Sequence, residues 1–241
     1  MPAPMSRPVQ VRVSGDWACF TRPEMKVERV TYQYMTPSAA RGVLEAICWH
    51  PQFRWVITQI EVLKPVRYQS VTRNEVQKKI PAGNIAGWMR DSDSMKPFYS
   101  DARGREDGEN ATQRSTLALR DVAYNITARA LVDGVNLRLE DTPEKYAAMF
   151  ERRVEKGQCF SRPYLGCREF AADFRAVDPT EQPVSDTIDL GLMLYDIVFS
   201  ADPKSANEAV FFQARIERGV MITDPVVALP DDDQRARVLS C

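Results

Sequence analysis

Lys145 and Tyr146 stand side by side just after Thr142-Pro143-Glu144, and a run of cations follows them: Arg152, Arg153, Arg162 and Arg168. An amine next to a phenol can hold an anion and can hold or supply a proton. Arg162 and Arg168 flank Pro163 and Gly166, so their guanidinium groups ride on a chain that turns tightly and can come close to a ligand. Together these residues describe a polyanion surface. Lys145 also falls in a first helical turn, where the positive end of the helix dipole disfavours a cation by roughly 0.3–1 kcal/mol. The same field helps to hold a phosphate. An exposed first-turn lysine without a role fits that placement too.

The elements that must position these residues follow from pattern. Thr142 suits an N-cap and Pro143 the first helical position; Met149, Phe150 and Val154 return on one face, and Gly157 is a natural stop. Upstream, Val9, Val11 and Val13 alternate as a first strand. The segment Ala18–Val30 mixes Arg22, Lys26 and Arg29 with Phe20 and Met25. That composition is compatible with contacts to a nucleic-acid backbone with base stacking, but taken alone the segment reads first as an ordinary ordered loop. A second cap-and-proline start at Thr36-Pro37 opens a helix with a buried stripe of Ala40, Val43, Leu44 and Ile47, ending at Cys48-Trp49-His50-Pro51. Residues 54–63 read as a strand, with Trp49 and Trp55 expected in the core.

Between about 65 and 118 the pattern weakens. Arg73, Lys78 and Lys79 suggest a basic hairpin or arm, and the polar stretch 101–110 a mobile loop. Residues 120–132 alternate strictly as a strand, and 164–174 can supply a short one. The resulting fold class is α+β: a ferredoxin-like βαββαβ domain, of the RNA-recognition-motif type, over 1–177 with a long insertion. Residues 178–241 read as a small antiparallel β appendage, with strands over 188–199 and 210–222 and a solvated acidic tail around Asp231.

Composition narrows the chemistry. His50 is the single histidine of the 241 residues, and the five cysteines show no Cys-x-x-Cys spacing. Neither a zinc site, a disulfide framework nor a two-histidine nuclease is expected, and no metal or other cofactor. No apolar run approaches the ~18–20 residues of a membrane helix, and Met1–Pro8 lacks the apolar centre of a signal peptide, so a cytoplasmic protein with no membrane partner is expected. The net charge of −1 hides segregation: residues 1–80 carry twelve Lys and Arg against six Asp and Glu, whereas 176–241 carry five against twelve. A basic front and an acidic rear suit a nucleic-acid binder. A DNA-binding regulator would share that charge, but no helix-turn-helix is recognisable.

Ala18-Cys-Phe-Thr-Arg-Pro-Glu-Met-Lys-Val-Glu-Arg-Val, Thr36-Pro-Ser-Ala-Ala-Arg-Gly-Val-Leu-Glu-Ala-Ile, Arg73-Asn-Glu-Val and Arg152-Arg-Val-Glu-Lys-Gly-Gln-Cys-Phe-Ser-Arg-Pro-Tyr-Leu-Gly-Cys-Arg-Glu-Phe resemble the subtype I-C (Dvulg) form of the CRISPR-associated Cas-five proteins. The resemblance spans roughly residues 9 to 222. It implies a metal-independent endoribonuclease that cuts precursor CRISPR RNA at the repeat hairpin and stays on the 5′ handle. It also implies a place in the Cascade antiviral complex beside backbone (Cas-seven type) and large (Cas-eight type) subunits, with target DNA met only through the complex. Lys145 matches the family lysine, Tyr146 falls where the family has histidine, and Cys48 falls at the family's aromatic or histidine position at the end of the first helix. The expected catalytic group is therefore Lys145 and Tyr146, with His50, two residues beyond Cys48, as a source of imidazole. Tyr146, four residues before Phe150, also suits a core position. RNA contacts are expected from Arg22, Lys26, Arg29, Arg73, Lys78, Lys79, Arg152, Arg153, Arg162 and Arg168. Because Cys48 and Tyr146 depart from the family pattern, the alternative is a non-catalytic, handle-binding subunit of the same complex.

Overall fold

In the computed structural model, residues 4–25, 27–76, 82–94, 111–133, 137–200, 202, 206–229 and 231–240 are described. Lys26, Lys78, Lys79 and the 101–110 stretch lie outside them. In chain order the elements are β1 (Val9–Ala18), β2 (Arg29–Val30), α1 (Pro37–Ile47), β3 (Phe53–Val62), β4 (Tyr68–Val76), α2 (Ala82–Arg90) and β5 (Ala111–Val132). They continue with α3 (Pro143–Glu155), β6 (Asp173–Arg175), β7 (Ile188–Val198), β8 (Glu208–Ile216), β9 (Val220–Ile222), α4 (Pro225–Ala228) and α5 (Asp232–Ser240). The chain divides into two compact units, Met1–Gln69 with Leu117–Cys241, and Ser70–Thr116.

The larger unit is mixed α+β. Its main sheet runs β6-β1-β5-β3-β9 with antiparallel pairing at each step, and β7 and β8 form a separate two-stranded antiparallel sheet. The β1–β5 register sets Val9 opposite Ala128 and Val13 opposite Tyr124, so the alternating apolar residues of both strands fall on one buried face. Helices α1 and α3 cover it: α1 packs on β3 and α3 on β1, with Leu44, Ile47, Phe150 and Val154 among the buried residues. Both helices start as the sequence predicts, with Thr36 accepting from Ala39 N–H and Thr142 from Lys145 N–H. Each such cap is worth about 1 kcal/mol. In the smaller unit, Arg114 reaches Glu75 at 3.0 Å, and Arg73 lies 3.5 Å from the same carboxylate.

Four sequence expectations change. Trp55 is in the core at 2 % exposure, but Trp49 is 47 % exposed, because α1 ends one residue before its Cys48 cap and turns the next side chain outward. The strand expected over 164–174 contracts to β6; Leu165 N–H instead donates to Phe170, closing a turn within the loop. The strand expected over 210–222 breaks at Arg218-Gly219, both with positive φ, and its last piece crosses to pair with β3 in the main sheet. The acidic end is a helix start: Asp231 accepts from Asp233 N–H at 2.9 Å, and Asp232 and Asp233 lie in the first turn of α5, where the dipole favours carboxylates. No helix among the described residues is long and apolar enough to cross a membrane.

Candidate active site

Four hydrogen bonds hold the end of α1. A helix leaves its last carbonyls without partners in the helix itself; here Ala46 O accepts from Ser161 N–H, Ile47 O from Phe160 N–H and the Arg153 guanidinium, and Cys48 O from the Trp55 indole at 2.9 Å. The far end of α3 is shaped to deliver those donors. Gly157 N–H bonds to Val154 O and Gln158 N–H to Arg153 O, a Schellman motif with Gly157 at φ +63°. The two helix ends are thereby tied together, and His50 is placed where the chain leaves α1.

A file of rings then carries His50 to the start of α3. Trp55 packs edge-on to Phe53 at 5.1 Å between ring centroids, Phe53 stacks on Tyr146 at 4.4 Å, and the His50 ring lies 5.8 Å from that of Tyr146. One open cleft is lined by His50, Gln52, Arg138, Glu140, Asp141, Lys145, Tyr146 and Met149. The three residues expected to act together are thus brought together from distant parts of the chain.

Asp141 organises their polar atoms, and sequence reasoning missed it. Its Oδ1 accepts from Lys145 Nζ at 3.0 Å and from the Tyr146 hydroxyl at 2.7 Å, while Oδ2 accepts from Arg138 N–H. The signal available was its position four residues before Lys145, the spacing of a helical ion pair. These donors hold the Asp141 carboxyl down at about pKa 2, the Tyr146 hydroxyl bond contributing most. The Tyr146 phenol moves the other way, raised first by burial and then by its bond to Asp141, so it stays protonated at neutral pH. His50 is shifted below its ordinary value, first by burial and then by Arg153 and Lys145, against a smaller opposing pull from Asp141. Its Nε2 is buried with no hydrogen-bond partner among the described residues. A neutral imidazole, a fixed ammonium and a protonated phenol can accept a proton, offset negative charge and orient one another.

The family model for the CRISPR-associated Cas5d proteins matches residues 9–234. The chain belongs to the Cas5d family. A Cas5d relative from Mannheimia succiniciproducens, named a CRISPR pre-crRNA endoribonuclease, is 41 % identical over 231 residues, covering 93 % of this chain and 98 % of its own. A Thermus thermophilus Cas5d of the same name is 43 % identical over 196 residues, covering 81 % and 75 %. The fold is also that of a solved crystal structure of a CRISPR-associated protein, with a TM-score of 0.65, 21 % identity, and coverage of 92 % and 94 %.

The cations expected on RNA divide in this Cas5d chain. Arg152, Arg162 and Arg168 are exposed and form no ion pair among the described residues. Arg153 spends one N–H on Ile47 O, a positioning task. Arg22 lies over the Tyr32 ring, 4.6 Å from its centroid, and pairs weakly with Glu24 at 3.7 Å. Arg29 contacts Cys167 Sγ and Glu169, both at 3.3 Å. Arg73 belongs to the smaller unit.

Proposed function

We propose that this chain cuts precursor CRISPR RNA beside the repeat hairpin, without a metal ion, by attack of a ribose 2′-OH on the adjacent phosphorus. The observation that carries this reading is the convergence of His50, Lys145 and Tyr146 in one cleft, in a member of a family whose relatives are named pre-crRNA endoribonucleases. In the reaction the bond from 2′-oxygen to phosphorus forms and the bond from phosphorus to the 5′-oxygen breaks, leaving a cyclic phosphate and a 5′-OH. Neutral His50, in the wall of the cleft, takes the 2′ proton. Lys145, which has two further N–H donors beside the one given to Asp141, offsets the charge that builds on the phosphoryl oxygens and gives the leaving 5′-oxygen its proton. Tyr146 and Asp141 act as positioning residues, fixing the lysine and one wall of the cleft.

The same reading keeps the product's 5′ handle on Arg162, Arg168 and Arg152, and makes the chain a cytoplasmic subunit of a Cascade complex with Cas-seven and Cas-eight type neighbours. Residues 1–177 then form a ferredoxin-like domain with an insertion at about 65–118, and 178–241 an appendage. The strand order β6-β1-β5-β3 with α1 and α3 on one face supports that topology.

The test is cleavage of a labelled repeat-hairpin RNA in EDTA by wild type and Lys145→Ala, and of a substrate with one 2′-deoxy residue at the cut site. Wild type cuts the all-ribose RNA; the variant and the deoxy substrate bind without cutting. Tight binding by wild type with no cleavage at all would make the chain a non-catalytic reader of the handle. Strong preference for the RNA over a DNA copy of the hairpin removes the reading as a DNA-binding regulator, which predicts equal affinity for the two.

A further inference from the structure

Two large rings stand exposed beside the cleft, and folding makes little use of them. Trp49 is 47 % exposed and Phe160 69 %, with ring centroids 6.4 Å apart at a tilt of 41°. Single exposed apolar side chains are ordinary on protein surfaces. These two differ in being adjacent and in resting on a fixed main chain: Phe160 N–H donates to Ile47 O at 3.2 Å and Ser161 N–H to Ala46 O at 2.9 Å. Trp49 is the residue before His50. Lys156 and Arg162, on either side of Phe160, are exposed and form no ion pair among the described residues.

Building on the endoribonuclease reading, we infer that Trp49 and Phe160 form a stacking platform for an unpaired RNA base next to the bond that is cut. An apolar protein surface docking on the two rings would leave Lys156 and Arg162, four residues before and two after Phe160 in the chain, without partners, whereas single-stranded RNA supplies bases to the rings and phosphates to such cations. Continuity sets the register, since a base on Trp49 puts its own backbone within one residue of the His50 imidazole. Every base offers a π-face, so the platform does not read sequence. It reads pairing: a base locked in the hairpin stem cannot stack there, and cleavage is confined to the unpaired flank.

The experiment measures affinity of the full chain for a repeat hairpin made uncleavable by 2′-deoxy substitution, using wild type, Trp49→Ala, Trp49→Phe and Phe160→Ala. Each is tested on a set of RNAs with one abasic residue placed in turn at every unpaired position flanking the stem. A base stacked on an aromatic ring contributes about 1–3 kcal/mol, so Trp49→Ala weakens binding about 5- to 150-fold. Trp49→Phe recovers most of the loss. One abasic position reproduces the loss in wild type and adds nothing in Trp49→Ala. Wild-type affinity in both alanine variants, or additive losses at every abasic position, overturns the platform, including the case where the variants instead fail to bind a protein subunit. The coupling is read on binding alone, so a wild type that binds but never cuts refutes the cleavage reading and leaves the platform to be decided. A wild type that does not bind the hairpin refutes both.

Discussion

Gly166→Ala should destabilise the chain far more than Gly157→Ala, although both glycines have left-handed φ values, +84° and +63°. At Gly157 an added Cβ meets nothing within 4 Å, so only the conformational penalty applies, about 1–2 kcal/mol. At Gly166 the Cβ would lie 2.0 Å from the Cys19 carbonyl oxygen and 2.7 Å from its carbon. Both atoms are backbone, and β1 is fixed there by Cys19 N–H donating to Leu165 O at 3.0 Å. Relief requires the loop to move by about an ångström, an overpacking cost of about 1–3 kcal/mol on top of the conformational one. The total of about 2–5 kcal/mol corresponds to a fall in Tm of roughly 4–20 °C for a chain of this size. Urea unfolding followed by circular dichroism reads the difference as a shift in midpoint at constant slope. RNA affinity, measured where both variants are folded, should fall for Gly166→Ala, because the displaced loop carries Arg162 and Arg168. Equal midpoints for the two variants would refute the argument that close approach to Cys19, rather than φ, makes residue 166 a glycine.

Asp141→Asn removes the shared anchor of Lys145 and Tyr146 and also one negative charge from the cleft; single-turnover cleavage should drop about 10- to 100-fold, as for a misplaced catalytic group, with RNA affinity unchanged or tighter. If His50 is the base, the rate should rise with pH through a midpoint below 6.5 and be level by pH 7, since its lowered pKa leaves the imidazole neutral there; in His50→Gln that acid limb should vanish from the pH–rate profile. The same depressed pKa means the unfolded chain binds the proton more readily, so the contribution of His50 to stability should decline as pH falls below 6.5, which acid-side urea titration of wild type against His50→Gln would detect. Trp55→Phe strips the donor from Cys48 O in a buried setting and should cost about 1–3 kcal/mol, readable as a lower urea midpoint.

What the sequence made legible was local. Both N-caps, the stop at Gly157 and the alternation of β1 and β5 depend on neighbours in the chain, and all appear as the pattern predicts. Asp141 was missed because its importance lies in two side-chain bonds that periodicity does not encode. The exposure of Trp49 depends on where α1 gives out relative to a tryptophan, a matter of one residue. The break before β9 depends on Gly219, where an added Cβ would lie 2.2 Å from Val184 O, a contact between distant segments that no window of sequence contains. The His50 shift likewise comes from Arg153 and Lys145, which reach it only once α1 and α3 are docked.

The fastening of α1 by donors from beyond α3 has a kinetic side. The amides of Phe160 and Ser161 close onto Ile47 and Ala46, and Arg153 closes onto Ile47 as well, so neither segment can fray without releasing the other. In hydrogen-exchange terms the end of α1 and the 157–161 loop form one opening unit. The floor under His50 and the seat of Phe160 therefore come apart together or not at all. A chain that holds its product by this surface would let go through a single cooperative event rather than by shedding contacts one at a time.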